Sequence, residues 1–148
     1  MTEQAIYRIS IDHEDVQFDV VYKLLSESYW STNIRPEVLR EAIANSVVAG
    51  AFDEETGKQV AFARVVTDYA TFGWLCDVIV HPDHQARGLA KRMLAALHKH
   101  PRLQTLRRWM LATKSAHTLY EPMGYKFVEE HRWMERLMPK SAWQKAPE

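Results

Sequence analysis

Residues 85–90 have the composition expected where a protein backbone holds an anion. They follow a β-rich stretch and a loop, and they open an amphipathic helical pattern. The first turn of a helix carries unpaired N–H groups and a partial positive charge, which together favour phosphate. Gly88 lets the backbone approach a ligand closely, and Arg87 and Lys91 add positive charge beside it. The sequence therefore predicts a diphosphate site at this turn.

Other interpretations compete for the same turn. Taken alone, the six residues fit a plain strand-to-helix connection with a solvated basic end about equally well. The dinucleotide fingerprint needs two glycines around a tight turn, but Gln85 and Ala86 precede the only glycine here. A P-loop needs Gly-Lys followed by Ser or Thr, and the chain has no such sequence. Features elsewhere in the chain must decide between a diphosphate site and a plain strand-to-helix connection.

Apolar periodicity predicts the elements that would position the turn. Strands are predicted at residues 7–11, 47–52, 60–66, 72–80, 108–113, 125–128 and 131–138. Helices are predicted at 16–29, from residue 36 to about 43, at 85–100 and at 115–123. Asp15 and Ser115 are candidate N-caps, Pro36 suits a first helical position, and Gly57 and Gly124 suit a hairpin and a helix end.

The element order is β-α-α-β-β-β-α-β-α-β-β, which indicates an α+β fold. We expect a mixed central sheet of about seven strands flanked by about four helices, with a right-handed strand–helix–strand crossover. A chain of 148 residues suits one domain, expected at 1–138, followed by a polar and loosely held tail at 139–148 apart from Trp143.

Composition excludes several classes of function. Nineteen basic residues balance nineteen acidic ones, so no global field draws the chain to nucleic acid or to an anionic membrane. Cys76 is the single cysteine and no intramolecular disulfide can form, which fits a reducing compartment. No signal peptide or apolar run long enough to span a bilayer is present, so we expect a cytoplasmic protein.

Two motifs carry a resemblance to a known family. Residues 77–90 are Asp-Val-Ile-Val-His-Pro-Asp-His-Gln-Ala-Arg-Gly-Leu-Ala, and residues 116–125 are Ala-His-Thr-Leu-Tyr-Glu-Pro-Met-Gly-Tyr. The chain thereby resembles the GNAT acetyltransferase superfamily, whose signatures are Gln/Arg-x-x-Gly-x-Gly/Ala and Ala-x-x-Leu-Tyr-x-x-x-Gly-Phe. Ala90 and Tyr125 replace the commoner Gly and Phe. The element order also agrees over about residues 5–138, which makes the fold expectation GNAT-like.

The resemblance implies transfer of an acetyl group from acetyl-CoA to a primary amine by direct attack. It implies Tyr120 as the general acid, because a phenol is protonated at neutral pH and can donate to the leaving thiolate. Asp77 is the first candidate for the base that takes the amine's proton, with His81, His117 and a water chain as alternatives.

Cofactor contacts are implied along the central strand, the turn and the starts of the helices that follow. They are expected from Val78, Ile79, Val80, Gln85, Ala86, Arg87, Gly88, Leu89, Ala90, Lys91, Ser115 and His117. The strand residues are expected to act through their main chain. No metal is expected, because His81-x-x-His84 in a loop lacks a second ligand pair. Cys76 is expected to be an inert thiol in an apolar strand.

Four aromatic residues are candidates for the acceptor site. Tyr29 and Trp30 join the first two helices, and Phe72 and Trp74 begin the central strand. In the resembled fold both stretches edge the acceptor site, although such aromatics equally often cap a core. If they line a pocket, the acceptor is a small or partly apolar amine.

Several functional questions stay open at this stage. A non-catalytic acetyl-CoA-sensing or partner-binding domain on the same fold is an alternative, and so is a structural interaction module. The acceptor is a small-molecule or peptide amine whose identity the sequence does not reveal. GNAT proteins are often dimers, so the resemblance is compatible with a homodimer.

Overall fold

Five strands form one mixed sheet in the computed structural model, which describes residues 6–129 and 131–147. The order in the sheet is the order in the chain, and the first four strands pair antiparallel while the last pairs parallel to its neighbour. The strands are β1 (Tyr7–Ser10), β2 (Val47–Asp53), β3 (Gln59–Thr67), β4 (Phe72–Val80) and β5 (Arg108–Met110).

Helices cover both faces of this sheet. They are α1 (Phe18–Ser26), α2 (Pro36–Ala44), α3 (Leu89–His98) and α4 (His117–Tyr120). One core cluster joins α3 and α4 to one face, and a second joins α1 and α2 to the other. Every residue of β2 is buried, because this strand has helices on both sides. The predicted α+β fold with about four helices is confirmed.

The structure places three turn-forming residues as predicted: one proline at a helix start, one glycine in a hairpin and one glycine at a helix end. Pro36 occupies the first turn of α2. Gly57 has φ 72° in the hairpin between β2 and β3, and its N–H donates to the carbonyl of Asp53 over 2.7 Å. Gly124, with φ 96°, ends the single 3-10 turn that follows α4. Both glycine positions require a left-handed backbone, which glycine adopts at little cost.

The two predicted N-caps are wrong. Asp15 lies before α1 but accepts from the Ser10 hydroxyl over 2.6 Å and from Arg8, and α1 begins after Gln17 instead. Ser115 is exposed, and α4 begins after Ala116, whose N–H donates to the Thr113 hydroxyl. At Asp15 the Ser10 hydroxyl and Arg8 bind the carboxylate that was expected to cap the helix.

The expectation of about seven strands is also wrong for the described part of the chain. Residues 125–128 and 131–138 form no strand, and the predicted strand at 108–113 ends at Met110. Strand composition is present in these stretches, but no ladder connects them to β5. Their large side chains are exposed, with Met134 at 98% and Leu137 at 79%.

The C-terminal tail is held more firmly than predicted. The N–H of Lys145 donates to the carbonyl of Asn33 over 2.8 Å, and the N–H of Arg35 donates to the carbonyl of Trp143 over 3.0 Å. Gln144 forms an antiparallel bridge with Ile34. Trp143 packs against the α1–α2 cluster, which gives this short polar tail a partly buried anchor. The tail therefore contacts the segment between α1 and α2.

None of the helices within residues 6–129 and 131–147 combines the length and the apolarity that a bilayer crossing requires.

Candidate active site

A β-bulge at Asp77 interrupts β4 in its middle. The pairing partners of β3 and β4 slip by one residue between Phe62, which faces Ile79, and Arg64, which faces Cys76. Asp77 has φ 54°, a left-handed value that is uncommon for a residue other than glycine. Two successive residues of β4 thus oppose one of β3, which bends the strand and redirects a side chain.

The edge of β4 that faces β5 is open along its second half. The parallel pairing with β5 covers only Phe72 to Trp74, and within the described residues no strand pairs with the later part of β4 on that side. Backbone N–H and C=O groups from Cys76 to Val80 therefore line a cleft between the two strands. An extended, amide-containing ligand can add to such an edge as another strand would.

The turn after β4 presents several amides to one point. Ala86 has φ 60° and Gly88 has φ 73°, so left-handed residues alternate with ordinary ones. Across the described residues, no hydrogen-bond acceptor takes the N–H groups from Arg87 to Lys91. Such an alternation forms a concave amide nest that binds anions, and the positive end of α3 adds to it.

The positive φ of Gly88 explains why α3 begins at Leu89 rather than at residue 85 as predicted. A Cβ placed on Gly88 would meet no protein atom within 4 Å, so the backbone conformation rather than protein crowding requires glycine there. The free space in front of this backbone is the space that a ligand would use.

Tyr7 of β1 contacts the turn after β4 from outside the cavity. Its hydroxyl accepts from Nη1 of Arg87 over 2.8 Å and lies 2.8 Å from Nδ1 of His84. The carbonyl of Tyr7 accepts from Arg92 on α3 over 3.2 Å. These contacts fix two cations and one histidine beside the amide nest, so the site combines oriented amides with positive charge.

A cavity of about 380 Å³ lies in front of this turn. Its walls come from the end of β4, the turn, the start of α3 and one residue of α4. The lining residues are Val80, His84, Gln85, Ala86, Gly88, Leu89, Ala90, Lys91 and Leu119. Six residues predicted as cofactor contacts, Gln85 to Lys91 without Arg87, are thereby gathered in one pocket with Val80.

The comparisons with known proteins are in keeping with this geometry. The acetyltransferase (GNAT) domain profile matches residues 44–127, which is more than half of the chain. The chain belongs to the GNAT acetyltransferase family. The matched region begins at the end of α2 and contains the bulged strand, the amide nest and Tyr120.

Individual relatives agree with this GNAT membership. A Xanthomonas campestris pv. campestris structure, solved as a candidate GNAT acetyltransferase, is 38% identical, with a TM-score of 0.86 over 93% of this chain and 96% of that one. A candidate acetyltransferase of Gibberella zeae is 28% identical over 84% of this chain and 81% of its own length. A candidate acetyltransferase of Clostridium acetobutylicum, solved with acetyl-CoA, shares the fold at 16% identity, with a TM-score of 0.63 over 90% and 96%.

Tyr120 lies at the end of α4 in this GNAT fold and is buried. Its ring packs edge-on against Tyr125 with centroids 5.9 Å apart. Burial raises the pKa of Tyr120 above its ordinary value, so the phenol stays protonated at neutral pH. Its hydroxyl makes no hydrogen bond to any other described residue, whereas that of Tyr125 lies 2.7 Å from Nε2 of His98.

Asp77 is placed at the bulge with both carboxylate oxygens engaged. Oδ1 accepts from the indole N–H of Trp30 over 2.9 Å, and Oδ2 accepts from Nε of Arg64 over 2.6 Å. The Asp77 and Arg64 side chains are only 6% and 17% exposed. Arg64 also donates to the Ser46 hydroxyl over 3.1 Å. The carboxylate thus connects β4, β3 and the segment after α1.

The predicted acceptor residues fall into two groups. Trp30 is 39% exposed beside Asp77, and Tyr29 is 64% exposed, with Nζ of Lys114 lying 4.8 Å from its ring centroid. These contacts place both residues beside the cleft. Phe72 and Trp74 form the second group. Phe72 lies five residues before Asp77 on β4, which is about 16 Å at the rise of an extended strand, and Trp74 lies between the two.

The other predicted contacts of this GNAT domain are more dispersed. His117 lines a second, largely apolar groove beside β5, with its ring 5.0 Å from that of Phe127, and Ser115 is exposed. Cys76 is half-buried, and burial raises the pKa of its thiol to about 11, which fits an inert thiol.

Several site residues were absent from the sequence prediction. Tyr7, Arg64 and Ser46 reach the site through contacts between distant parts of the chain, and no local motif marks them. Leu119 also lines the cavity in front of the turn after β4, and its place in the Leu-Tyr motif could have indicated this.

Proposed function

We propose that this chain transfers the acetyl group of acetyl-CoA to the nitrogen of an amine. One observation carries the proposal: the open edge of β4 runs directly into the amide nest at the start of α3. A pantetheine arm would bond to the backbone of Val78 and Val80, and its diphosphate would bind the amides from Arg87 to Lys91. Acetyl-CoA supplies the activated acyl group in this arrangement.

Tyr120 is proposed as the general acid. Its raised pKa keeps the proton on the phenol, and its hydroxyl has no competing acceptor in the described part of the chain. Proton donation to the sulfur would let the carbon–sulfur bond break with release of a neutral thiol. The proton that the attacking amine loses must leave by another group.

Asp77 is better suited to position the site than to act as a base. Both of its oxygens already accept hydrogen bonds, one from Trp30 and one from Arg64, so a proton taken from the amine would displace an existing contact. A water path therefore fits the geometry better for the amine's proton. The base role that the sequence suggested for Asp77 stays an untested prediction.

We place the acceptor amine between Tyr29, Trp30 and Lys114. Two exposed aromatic rings beside a lysine suit a small or partly apolar amine, and the lysine disfavours a highly cationic acceptor such as a polyamine. The described groups at this mouth show no acidic cluster that would bind a polycation, because Asp77 is paired with Arg64.

Binding and turnover test this proposal separately. Acetyl-CoA at one hundred times its dissociation constant should stabilise the protein by about 2.7 kcal/mol, which a thermal shift detects, with NADH as control. Release of CoA thiol across a panel of amines then reports transfer. An absent thermal shift contradicts the site, and binding without turnover on any amine favours a non-catalytic acetyl-CoA-binding domain.

A further inference from the structure

The sequence marked His84 only as one half of an isolated histidine pair, yet its side chain lines the cavity in front of the turn after β4. His84 ends the short 3-10 turn Pro82–His84, and its N–H donates to the carbonyl of His81 over 2.9 Å. The residue is half-buried and directly precedes Gln85, which lines the same cavity. A side chain fixed there can contact whatever the neighbouring amides bind.

The two ring nitrogens of His84 have different surroundings. Nδ1 lies 2.8 Å from the hydroxyl of Tyr7, and the two rings meet edge-on with centroids 5.7 Å apart. Tyr7 is only 8% exposed and lies outside the cavity. Across the described residues, Nε2 of His84 has no hydrogen-bond partner. Because the two nitrogens lie on different sides of the imidazole, a ring bonded to Tyr7 through Nδ1 leaves Nε2 free to bind a ligand in the cavity.

A series of hydrogen bonds determines which nitrogen of His84 carries the proton. Arg87 only donates, so the oxygen of Tyr7 accepts from its Nη1. The guanidinium has no lone pair to accept the hydroxyl proton, and that proton is therefore donated to Nδ1 of His84. A neutral imidazole whose Nδ1 accepts carries its own proton on Nε2. The series Arg87–Tyr7–His84 thus makes Nε2 a donor.

The charged groups around this donor suit an anion. Lys91 lines the same cavity, and Arg92 donates to the carbonyl of Tyr7. The ring of His81 lies 5.7 Å from that of His84, centroid to centroid. The carboxylate of Asp83 is 84% exposed and lies 3.9 Å from Nδ1 of His81. Among the described residues, no carboxylate bonds to His84, so a phosphate oxygen would be its acceptor.

We propose that His84 is a further ligand-binding residue, which donates its Nε2–H to a phosphate oxygen of the bound coenzyme. Tyr7 and Arg87 are positioning residues for it, because they fix the tautomer of the imidazole. The inference rests on the proposed function and deepens it. It adds one directional side-chain donor to the backbone amides, and it makes β1 part of the coenzyme site.

Nitrogen NMR of the labelled, ligand-free protein tests the tautomer. At about pH 8, above the range in which histidines ordinarily take up a second proton, we expect Nδ1 of His84 to be unprotonated and Nε2 to carry the proton. The signal is assigned by its absence from His84→Asn. Tyr7→Phe removes the donor to Nδ1 and should raise the share of the other tautomer. A wild-type ring protonated at Nδ1, or an unchanged tautomer in Tyr7→Phe, overturns the proposal.

Calorimetric titration with acetyl-CoA tests the donor. The amide N–H of His84→Gln reaches about as far as Nε2, whereas that of His84→Asn reaches only the position of Nδ1. We expect His84→Asn to weaken binding about tenfold, as loss of a hydrogen bond to a charged group does, and His84→Gln to restore most of the affinity. Equal affinities in the two variants overturn this inference alone. Wild type that does not bind acetyl-CoA overturns the proposed function together with it.

A second pair of variants separates this role from a general effect on the fold. Tyr22→Phe is the matched control for Tyr7→Phe, because the Tyr22 hydroxyl donates to the carbonyl of Ile34 over 2.8 Å in the α1–α2 cluster. We expect only Tyr7→Phe to weaken acetyl-CoA binding, by about threefold or more, with kcat at saturating acetyl-CoA unchanged. A fall in kcat, or the same loss of affinity in Tyr22→Phe, overturns the positioning role. The wild-type NMR measurement decides the tautomer even where a variant fails to fold.

Discussion

The indole N–H of Trp30 donates to Oδ1 of Asp77, 47 residues further along the chain, over 2.9 Å. This bond ties the segment after α1 to the bulge of β4. The mouth proposed for the acceptor and the strand proposed for pantetheine are therefore positioned by one carboxylate, which makes the two residues informative targets.

Trp30→Phe keeps an aromatic ring but removes the N–H donor together with the five-membered part of the indole. Loss of a hydrogen bond to a charged group costs about 1.5–3 kcal/mol, so we expect kcat/KM for the amine to fall about tenfold or more. The dissociation constant of acetyl-CoA, measured by calorimetry, should stay unchanged. A parallel loss of acetyl-CoA affinity would show that Trp30 supports the whole cleft.

Asp77→Asn removes the charge that balances Arg64 in a nearly buried site. Breaking such a pair leaves an uncompensated cation and should lower the free energy of unfolding by about 3 kcal/mol, measured with urea. Asp15→Asn is the matched control, because the Arg8–Asp15 pair is exposed and should leave the urea midpoint nearly unchanged.

The same variant tests the base role of Asp77. If Asp77 only positions its neighbours, the residual activity of Asp77→Asn keeps the acidic limb of the kcat–pH profile. Disappearance of that limb in the variant would restore Asp77 as the base.

Gly88→Ala strains the amide nest without filling protein space. A left-handed backbone costs about 1–2 kcal/mol for a residue with a Cβ, and relaxing it would turn amides away from the diphosphate. We expect a similar loss of stability in Gly57→Ala, since φ is 72° there and 73° at Gly88 and both sites are open. Only Gly88→Ala should weaken acetyl-CoA binding, by at least fivefold in a titration.

Tyr120→Phe should separate chemistry from stability. We expect kcat to fall by about 10²-fold or more, the usual contribution of a general acid, when chemistry limits the rate. Stability should hardly change, because the hydroxyl has no described partner. Tyr125→Phe is the control: it loses the His98 contact and about 1 kcal/mol of stability but keeps kcat. Full kcat in Tyr120→Phe would exclude the acid role.

Alkaline pH should destabilise the fold through the same two phenols. Burial raises the pKa of Tyr120 and of Tyr125, the latter further through the charge of Tyr120. Unfolded tyrosines ionise near pH 10 while the folded ones stay protonated, so stability is intact below about pH 10 and falls above it. Urea unfolding between pH 8 and 11 measures the slope, which Tyr125→Phe should reduce. An unchanged slope would contradict this assignment.

The sequence predicted the strands and helices whose conformation depends on residues close together in the chain. The alternation in β1, the apolar runs of β2 and β3 and the helical spacing in α1 to α3 are visible within a few residues, because each element buries one face or, in β2, both. Gly57 and Gly124 were identifiable for the same reason, since the left-handed backbone is a property of the residue itself, whereas the left-handed backbone of Gly88 was not predicted.

Contacts between distant segments were beyond such patterns. The bond from Arg87 to Tyr7 joins residues 80 apart, and the bulge that turns Asp77 towards Arg64 depends on strand register rather than on composition. The strands expected at 125–128 and 131–138 failed because strand propensity describes how a stretch fits a pleated surface and not whether a neighbouring edge is available.

Residues 143–145 are bonded to residues 33–35, which follow closely after Trp30 of the proposed acceptor mouth. Asn33 lies three positions after Trp30. We therefore expect substitutions in residues 140–145 to move the indole of Trp30 while leaving the turn after β4 unchanged. Variation there could diversify which amine is accepted while the coenzyme half of the cleft remains constant. An affinity tag fused after residue 148 would lie close to these contacts and could disturb them. Kinetic constants for the amine should therefore be compared with those of protein tagged before residue 1.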